Sequence, residues 1–333
     1  MNNAYNRRQF IRNAAITGIG LGLTAAVQPL MGAIPMADQR RVGIIGLDTS
    51  HSVEFTKMLN ASSPDPAFLG YHVTVAYVQG SKDIASSLEM VPGNLAKIKE
   101  MNVEIVDTIG ALLEKCDVVL LESNDGRVHL EQALPVLKAG KRLFIDKPMS
   151  ASLADTKAIF KAAAKNNVPV FSSSALRFID SIRQVNGGSI GKVTGVDIYT
   201  PSPTEKTHPD LFWYGIHGVE MLYALMGTGC KRLTRTTETD MDHITAVWDD
   251  GRIATLRGVK KGPYGFGGHA FGEKAIAAIG DFNSYHPLVL QITQFFQTGI
   301  PPVKPEETIE MMAFMEAADE SKRKNGAMVT LTV

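Results

Sequence analysis

Between residues 41 and 174, short apolar runs alternate with stretches whose apolar residues recur at helical spacing. The runs Arg41–Gly46 (RVGIIG), His72–Val78 (HVTVAYV), Val103–Val106, Val118–Leu121, Arg142–Ile145 and Val168–Phe171 are rich in Val and Ile. Runs of this length and composition read as strands, and continuous apolar character suits strands covered on both faces. Helical segments lie between them at Leu95–Met101, at Ile109–Lys115, from about Val128, and at Leu153–Lys165. In the third, Leu130, Leu134 and Leu137 fall near one face, and Gly140 stands where a left-handed residue ends a helix. Pro135 inside it costs about 3 kcal/mol against alanine, which predicts a kink or a short helix. Ser152, with Asp155 three residues on, marks the start of the fourth. Lys82–Asn94 contains Pro92-Gly93 and reads as an enlarged loop. This alternation predicts a doubly wound parallel sheet, α/β in class.

After about residue 175 the pattern changes. Lys192–Thr200, Arg232–Glu238, His243–Trp248 and Arg252–Val259 read as strands with short connections, as in an open antiparallel sheet. One helix, about Phe212–Met226, interrupts them. Helices at Pro287–Gln297 and Glu306–Lys322, then Met328–Val333, close the chain. Gly262–Gly268 (GPYGFGG) precedes a strand and reads as a lid or hairpin rather than a phosphate cradle. The predicted division is a parallel-sheet domain over 38–175 and an α+β domain over 176–333.

Composition narrows the class. A chain of 333 residues, 44% hydrophobic and 20% charged, suits a soluble two-domain protein. Its 34 basic and 34 acidic residues cancel, and no basic stripe points to nucleic acid. Cys116 and Cys230 lie in or beside apolar segments and define no disulfide framework. No H-x-x-x-H or Cys/His spacing supports a metal, so none is expected. At the start, Asn6-Arg7-Arg8-Gln9-Phe10-Ile11 has the twin-arginine pattern, followed by the uncharged segment Ala14–Val27. That segment matches a signal-peptide core and is too short to span a bilayer comfortably. The expectation is a signal over residues 1–33, cut after Ala33, and export of the folded protein to the periplasm. No stable membrane insertion is expected once the signal is removed.

Candidate chemistry concentrates in Asp117–Ser150, where strand, helix and strand make a βαβ unit with a right-handed crossover. Lys147 stands at the carboxyl end of the second strand, where open α/β sheets hold ligands. His129, Ala139-Gly140-Lys141 and Asp146-Lys147-Pro148 together resemble the hallmark of the glucose–fructose oxidoreductase/inositol dehydrogenase/MocA family of nicotinamide-dependent enzymes. The resemblance covers nearly the whole region after the signal. It implies a Rossmann domain holding NAD or NADP, and a second domain whose open sheet covers the nicotinamide. A small carbohydrate is the expected substrate, and a homo-oligomer the expected assembly.

The cofactor side departs from the family. Gly43 and Gly46 stand in the region of the G-x-G-x-x-G fingerprint, but Leu47, Asp48, Thr49 and Ser50 follow, so two glycines are missing. The helix beginning near His51, capped by Asp48, Thr49 or Ser50, still suits an anion. Asp48 repels phosphate unless it caps that helix. The second strand ends Gln79-Gly80-Ser81-Lys82, without the acid that holds ribose hydroxyls. This points to a 2′-phosphate met by Ser81 and Lys82, or to weakened nucleotide binding. Glu122 and Asn124 end the central strand near the expected nicotinamide ribose.

On the substrate side, Phe212–Glu220 (FWYGIHGVE) corresponds to the family's D-x-G-x-H-x-x-D. Gly215 and His217 match, Glu220 replaces the last acid and Trp213 the first. Hydride transfer from a carbinol needs a base for the hydroxyl proton, and imidazole titrates near neutrality. The resemblance thus makes His217 the general base/acid and Lys147 its partner on the substrate oxygen. Taken alone, a hydrogen-bonded structural histidine and a solvated lysine are the plainer readings. Tyr214 lies three before His217, on the same helical side. That Tyr-x-x-His resembles the branch that cleaves glycosides through a transient redox step. Trp213, His208 and Arg177 are further substrate candidates. The expected function is an exported NAD(P)-dependent oxidoreductase with tightly bound nucleotide, acting on a sugar or glycoside hydroxyl. The alternatives are a glycoside-cleaving enzyme with retained nucleotide and a carbohydrate-binding relative that lost the cofactor.

Overall fold

The computed structural model describes residues 40–280 and 282–333. The twin-arginine segment and its cut site lie outside them. The first sheet is parallel and six-stranded: β1 (Arg41–Ile45), β2 (His72–Tyr77), β3 (Glu104–Val106), β4 (Val118–Leu121), β5 (Leu143–Asp146) and β6 (Val170–Ser173). Its order is β3-β2-β1-β4-β5-β6, the predicted doubly wound sheet. The order reverses between β1 and β4, so a crevice opens at their carboxyl ends. Ile44 pairs with Leu120, and Leu120 with Phe144; all three side chains are fully buried. Burying such a side chain contributes about 1.5–3 kcal/mol, which fixes the register of these central strands.

Helices α1 (Ser50–Leu59), α2 (Ala85–Glu100), α3 (Ile109–Lys115), α4 (His129–Lys138) and α5 (Leu153–Asn166) connect the strands. Ser152 caps α5 by accepting from the Asp155 amide at 3.1 Å, as its sequence signature predicts. The ten-residue α4 runs through Pro135, and Gly140 follows it at φ +73°. The enlarged loop expected over Lys82–Asn94 is not there: from Ala85 it is helix, continuous with the segment at Leu95–Met101. Pro92 removes one helical hydrogen bond. Packing outweighs that loss, because Ser87, Asn94 and Ile98 are buried on the inner face.

The second sheet has seven strands: β7 (Val193–Pro201), β8 (Cys230–Thr237), β9 (Met241–Trp248), β10 (Ile253–Val259), β11 (Gly267–Gly272), β12 (Ile276–Gly280) and β13 (Val329–Thr330). Its order is β12-β11-β7-β10-β9-β8-β13. The expected antiparallel pairing holds except between β7 and β10, which run parallel. A parallel pair needs a long crossover, and the chain supplies one in the helix Ile216–Met226 with β8 and β9. Strands β11 and β12 have no clear signal in the sequence, because Gly267, Gly268, Gly272 and Gly280 dilute their strand character. Helices α6 (Asp180–Asn186), α7 (Ile216–Met226), α8 (His286–Thr298) and α9 (Pro305–Arg323) complete the fold. A wide turn, Leu211–Gly215, leads into α7.

Candidate active site

A pocket of about 200 Å³ lies at the carboxyl ends of the first sheet, facing α7. Its walls include His51, Asn124, Lys147, Ser174, Tyr214 and His217. That volume is below the ~300–1,000 Å³ of sites for drug-sized ligands, so it suits one small molecule. Lys147 follows β5 directly and is buried, with its Nζ 5.8 Å from the centre of the Tyr214 ring. The fold thus removes the solvated-loop reading of this lysine.

His217 sits in the first turn of α7, and its Nδ1 lies 2.7 Å from the Ser174 hydroxyl just beyond β6. Tyr214 stacks edge-on against the imidazole at 4.9 Å, and Phe266 closes another side at 5.4 Å. Burial, and then the neighbouring Lys147 and His51, hold its pKa well below the usual histidine value. His217 is therefore neutral at pH 7 and has a lone pair to offer. Burial also raises the Tyr214 phenol, which stays protonated. Lys147, Tyr214 and His217 thus line one pocket.

His51 was missed by sequence reasoning. It enters the pocket from the first turn of α1, with Nδ1 2.7 Å from Asp146 Oδ2. The other Asp146 oxygen accepts from the Lys147 amide at 2.9 Å. Burial alone raises Asp146, but His51 and Lys147 outweigh it and bring the pKa to about 2. Glu122, on the neighbouring strand end, is fully buried, and neither of its oxygens has a hydrogen-bond partner among the described residues. Burial, with Asp146 close by, pushes its pKa well above the ordinary carboxyl value. The oxygens of Glu122 and Asp146 and a ring nitrogen of His51 lie within 4.8 Å of one another. The signal for this cluster was a charged residue closing each of two buried strands.

Three substrate candidates lie elsewhere. Arg177 pairs with Glu220 and Glu307, both at 2.6 Å, and lines no part of the pocket. Trp213 stacks on His208 at 5.1 Å, and His208 Nε2 lies 3.2 Å from Asp125. Both residues stand off the pocket wall.

Several cofactor candidates are engaged within the protein, while Thr49 and Ser50 line the pocket. Thr49 caps α1 by accepting from the His51 amide at 3.4 Å. Asp48 is fully buried and accepts from the Ser81 amide at 2.7 Å and the Asn124 amide at 3.2 Å. Its carboxylate thus ties the loops after β1, β2 and β4 together. The Ser81 hydroxyl accepts from the Ile84 amide at 3.2 Å. Asn124 Nδ2 donates to Ser87 at 2.9 Å, and Gln132 Nε2 to the Gln79 carbonyl at 3.0 Å. Arg127 pairs with Asp83. From α2, Asn94 donates to the Leu47 and Thr49 carbonyls at 2.9 and 3.0 Å. Gly43 faces α3, where a Cβ would meet Leu112 at 2.7 Å. Gly46, at φ +92°, lets β1 approach Ser123, which a Cβ would meet at 2.5 Å.

Residues 40–174 match the model of the oxidoreductase family with an NAD-binding Rossmann fold, Gfo/Idh/MocA. Over this domain, about two fifths of the chain, the sequence is similar to that oxidoreductase family. Among curated proteins, an uncharacterized oxidoreductase of Streptococcus pneumoniae is 23% identical over 210 residues, covering 54% of this chain and 57% of that one. The uncharacterized oxidoreductase YhhX of Escherichia coli is 25% identical over 111 residues, covering 30% of this chain and 32% of that one. The chain therefore spans little more than half, and about a third, of those relatives. Solved structures share the fold over most of their length. Myo-inositol 2-dehydrogenase from Lactobacillus plantarum superposes with a TM-score of 0.73 at 17% identity, covering 88% of this chain and 100% of that one. Scyllo-inositol dehydrogenase from Lactobacillus casei, with NAD(H) and scyllo-inositol bound, gives 0.69 at 16%, covering 88% and 99%.

A dinucleotide in such a fold lies extended along the crevice, with its pyrophosphate on the loop after β1. The nicotinamide half has a counterpart here, since Asn124 and Lys147 line the pocket. The rest does not fit. Leu47 and Asp48 are fully buried and Thr49 nearly so, beneath Asn94 of α2. The amides of Ser81 and Asn124 are already taken by Asp48; Arg127–Asp83 joins the loops after β2 and β4, Asn124 reaches Ser87 of α2, and Gln132 of α4 reaches the Gln79 carbonyl. No step below is routed through a nucleotide.

Proposed function

We propose that this chain is an enzyme acting on a hydroxyl-bearing small molecule, a sugar or cyclitol, held between Lys147 and His217. The observation that carries the reading is their convergence on one small pocket, with His217 buried and neutral. Lys147 donates to the substrate oxygen. His217 takes the hydroxyl proton through Nε2, while Ser174 fixes the ring through Nδ1. Tyr214 and Phe266 keep water from the imidazole. Such a positioned base contributes about 10²–10⁴-fold to rate. The match of residues 40–174 to an NAD-binding oxidoreductase family supports hydroxyl oxidation, for which an added nicotinamide nucleotide would serve as hydride acceptor. The expected tight binding of NAD or NADP has only the nicotinamide-side residues behind it.

A second reading is cleavage of a glycoside already oxidised to the ketone, through loss of the proton beside that carbonyl and departure of the aglycone. The second imidazole on the wall, His51, favours it, because elimination needs a base and an acid. We further propose that the protein is exported by the twin-arginine route and works in the periplasm, on the strength of the Arg7-Arg8 pattern. The test is product analysis after incubation with a panel of sugars, cyclitols and aryl glycosides, with and without added NAD or NADP. A ketone product supports oxidation, and a released aglycone supports cleavage. No conversion of any of them, with the fold intact, leaves the carbohydrate-binding alternative.

A further inference from the structure

We propose that His51, Glu122 and Asp146 form a binding site for one divalent cation of the zinc or manganese class, beside Lys147 at the edge of the pocket. The three side chains come from the start of α1, the end of β4 and the end of β5. Their ligand atoms lie within 4.8 Å of one another, and all three residues are buried. The inference does not depend on which reaction the pocket carries out.

The independent observation is Glu122. Both its oxygens are sealed from water and lack a hydrogen-bond partner among the described residues. A buried carboxylate left unpaired is strongly unfavourable, so a proton or a cation must satisfy it. A proton satisfies it only in part, because one oxygen can then donate while the other stays unpaired. Lys147 makes no hydrogen bond to Glu122, and Asp146 already pairs with His51. A bare ion at about 2.0–2.2 Å from each ligand needs less room than water and satisfies all three groups.

The donor set agrees with this class of ion. One imidazole nitrogen and two carboxylates suit zinc or manganese rather than a soft, thiolate-seeking metal. Binding displaces the proton shared by His51 and Asp146 and draws the ligand atoms inward by about 1 Å at the widest pair. His51 lines the pocket, so the ion has an entry path, and a substrate oxygen can complete its shell.

The test uses the full chain, stripped with a chelator and titrated calorimetrically with Zn²⁺ and with Mn²⁺. The expected result is one ion per chain, bound at least 10-fold more weakly by Glu122→Gln and by His51→Ala, with circular dichroism unchanged. Proton release on binding should fall in both variants. Infrared difference spectra of the stripped and metal-loaded protein provide the second readout. A carboxylic C=O band that disappears in Glu122→Gln yet persists in metal-loaded protein identifies a permanently protonated Glu122 and overturns the proposal. So does the absence of binding by either ion, or binding that Glu122→Gln leaves unchanged.

Discussion

Arg177 offers a sharp prediction, because its sequence-based role and its structural role differ. Its guanidinium is 10% exposed and pairs with Glu220, 2% exposed, and Glu307, 20% exposed. Burial by itself lowers the Arg177 pKa, but the two carboxylates outweigh it and keep the cation. Arg177→Ala leaves Glu220 as a buried carboxylate without a counter-ion, and breaking such a pair costs about 3–5 kcal/mol. The variant has one escape, protonation of Glu220, whose pKa burial has already raised above its ordinary 4.5. Taking up that proton at pH 7 costs about 3.4 kcal/mol, which bounds the Glu220 part of the loss.

The sign of the pH dependence follows. A carboxyl with a raised folded pKa carries its penalty above the unfolded value and loses it as pH falls. The deficit of Arg177→Ala should therefore shrink by about 1.4 kcal/mol per pH unit from pH 7 towards 4.5. Urea unfolding followed by circular dichroism at pH 7, 6 and 5 measures this. Arg177→Met combined with Glu220→Leu should regain most of the loss, since replacing a buried ion pair with apolar residues is often neutral. Stability within about 0.5 kcal/mol of wild type for Arg177→Ala, with a raised KM, would refute the reasoning and return Arg177 to the substrate.

Three further outcomes are expected. His217 stays neutral in the folded protein, while the unfolded chain protonates it below about pH 6.5. The stability of wild type relative to His217→Gln should be flat above that pH and decline below it, by at most about 1.4 kcal/mol per unit. Calorimetric titration with NAD and with NADP should give weak, exchangeable binding rather than a tightly held nucleotide, since Asp48 and α2 crowd the pyrophosphate loop; one nucleotide per purified chain would show that the groove opens. Lysines at positions 7 and 8 should hold the precursor in the cytoplasm, and normal periplasmic yield of that double variant would end the export reading.

What the sequence made legible follows from how local each signal is. The strands β1, β4 and β5 are short, apolar and bounded by turn residues, so pattern alone locates them. Lys147 and His217 follow from motifs that sit at element ends. The helical character of Lys82–Asn94 is hidden by Pro92, because only the buried faces of Ser87 and Asn94 offset its cost. The ion pairs of Arg177 were not legible, because its partners Glu220 and Glu307 are 43 and 130 residues away in sequence. The His51, Glu122 and Asp146 cluster draws one residue from each of three elements, a grouping that no spacing rule encodes. Asp48 looks anionic and exposed in sequence, and only the fold shows that it spends its charge on two backbone amides.

The central claim is that Lys147 and His217 act together on one substrate hydroxyl. The most direct measurement is turnover of the best substrate by wild type, Lys147→Ala and His217→Ala, each checked by circular dichroism. Each single variant should lose about 10²–10⁴-fold in kcat, and the double variant should lose far less than the product of the two. Wild-type rates in either single variant, with the fold unchanged, would contradict the claim.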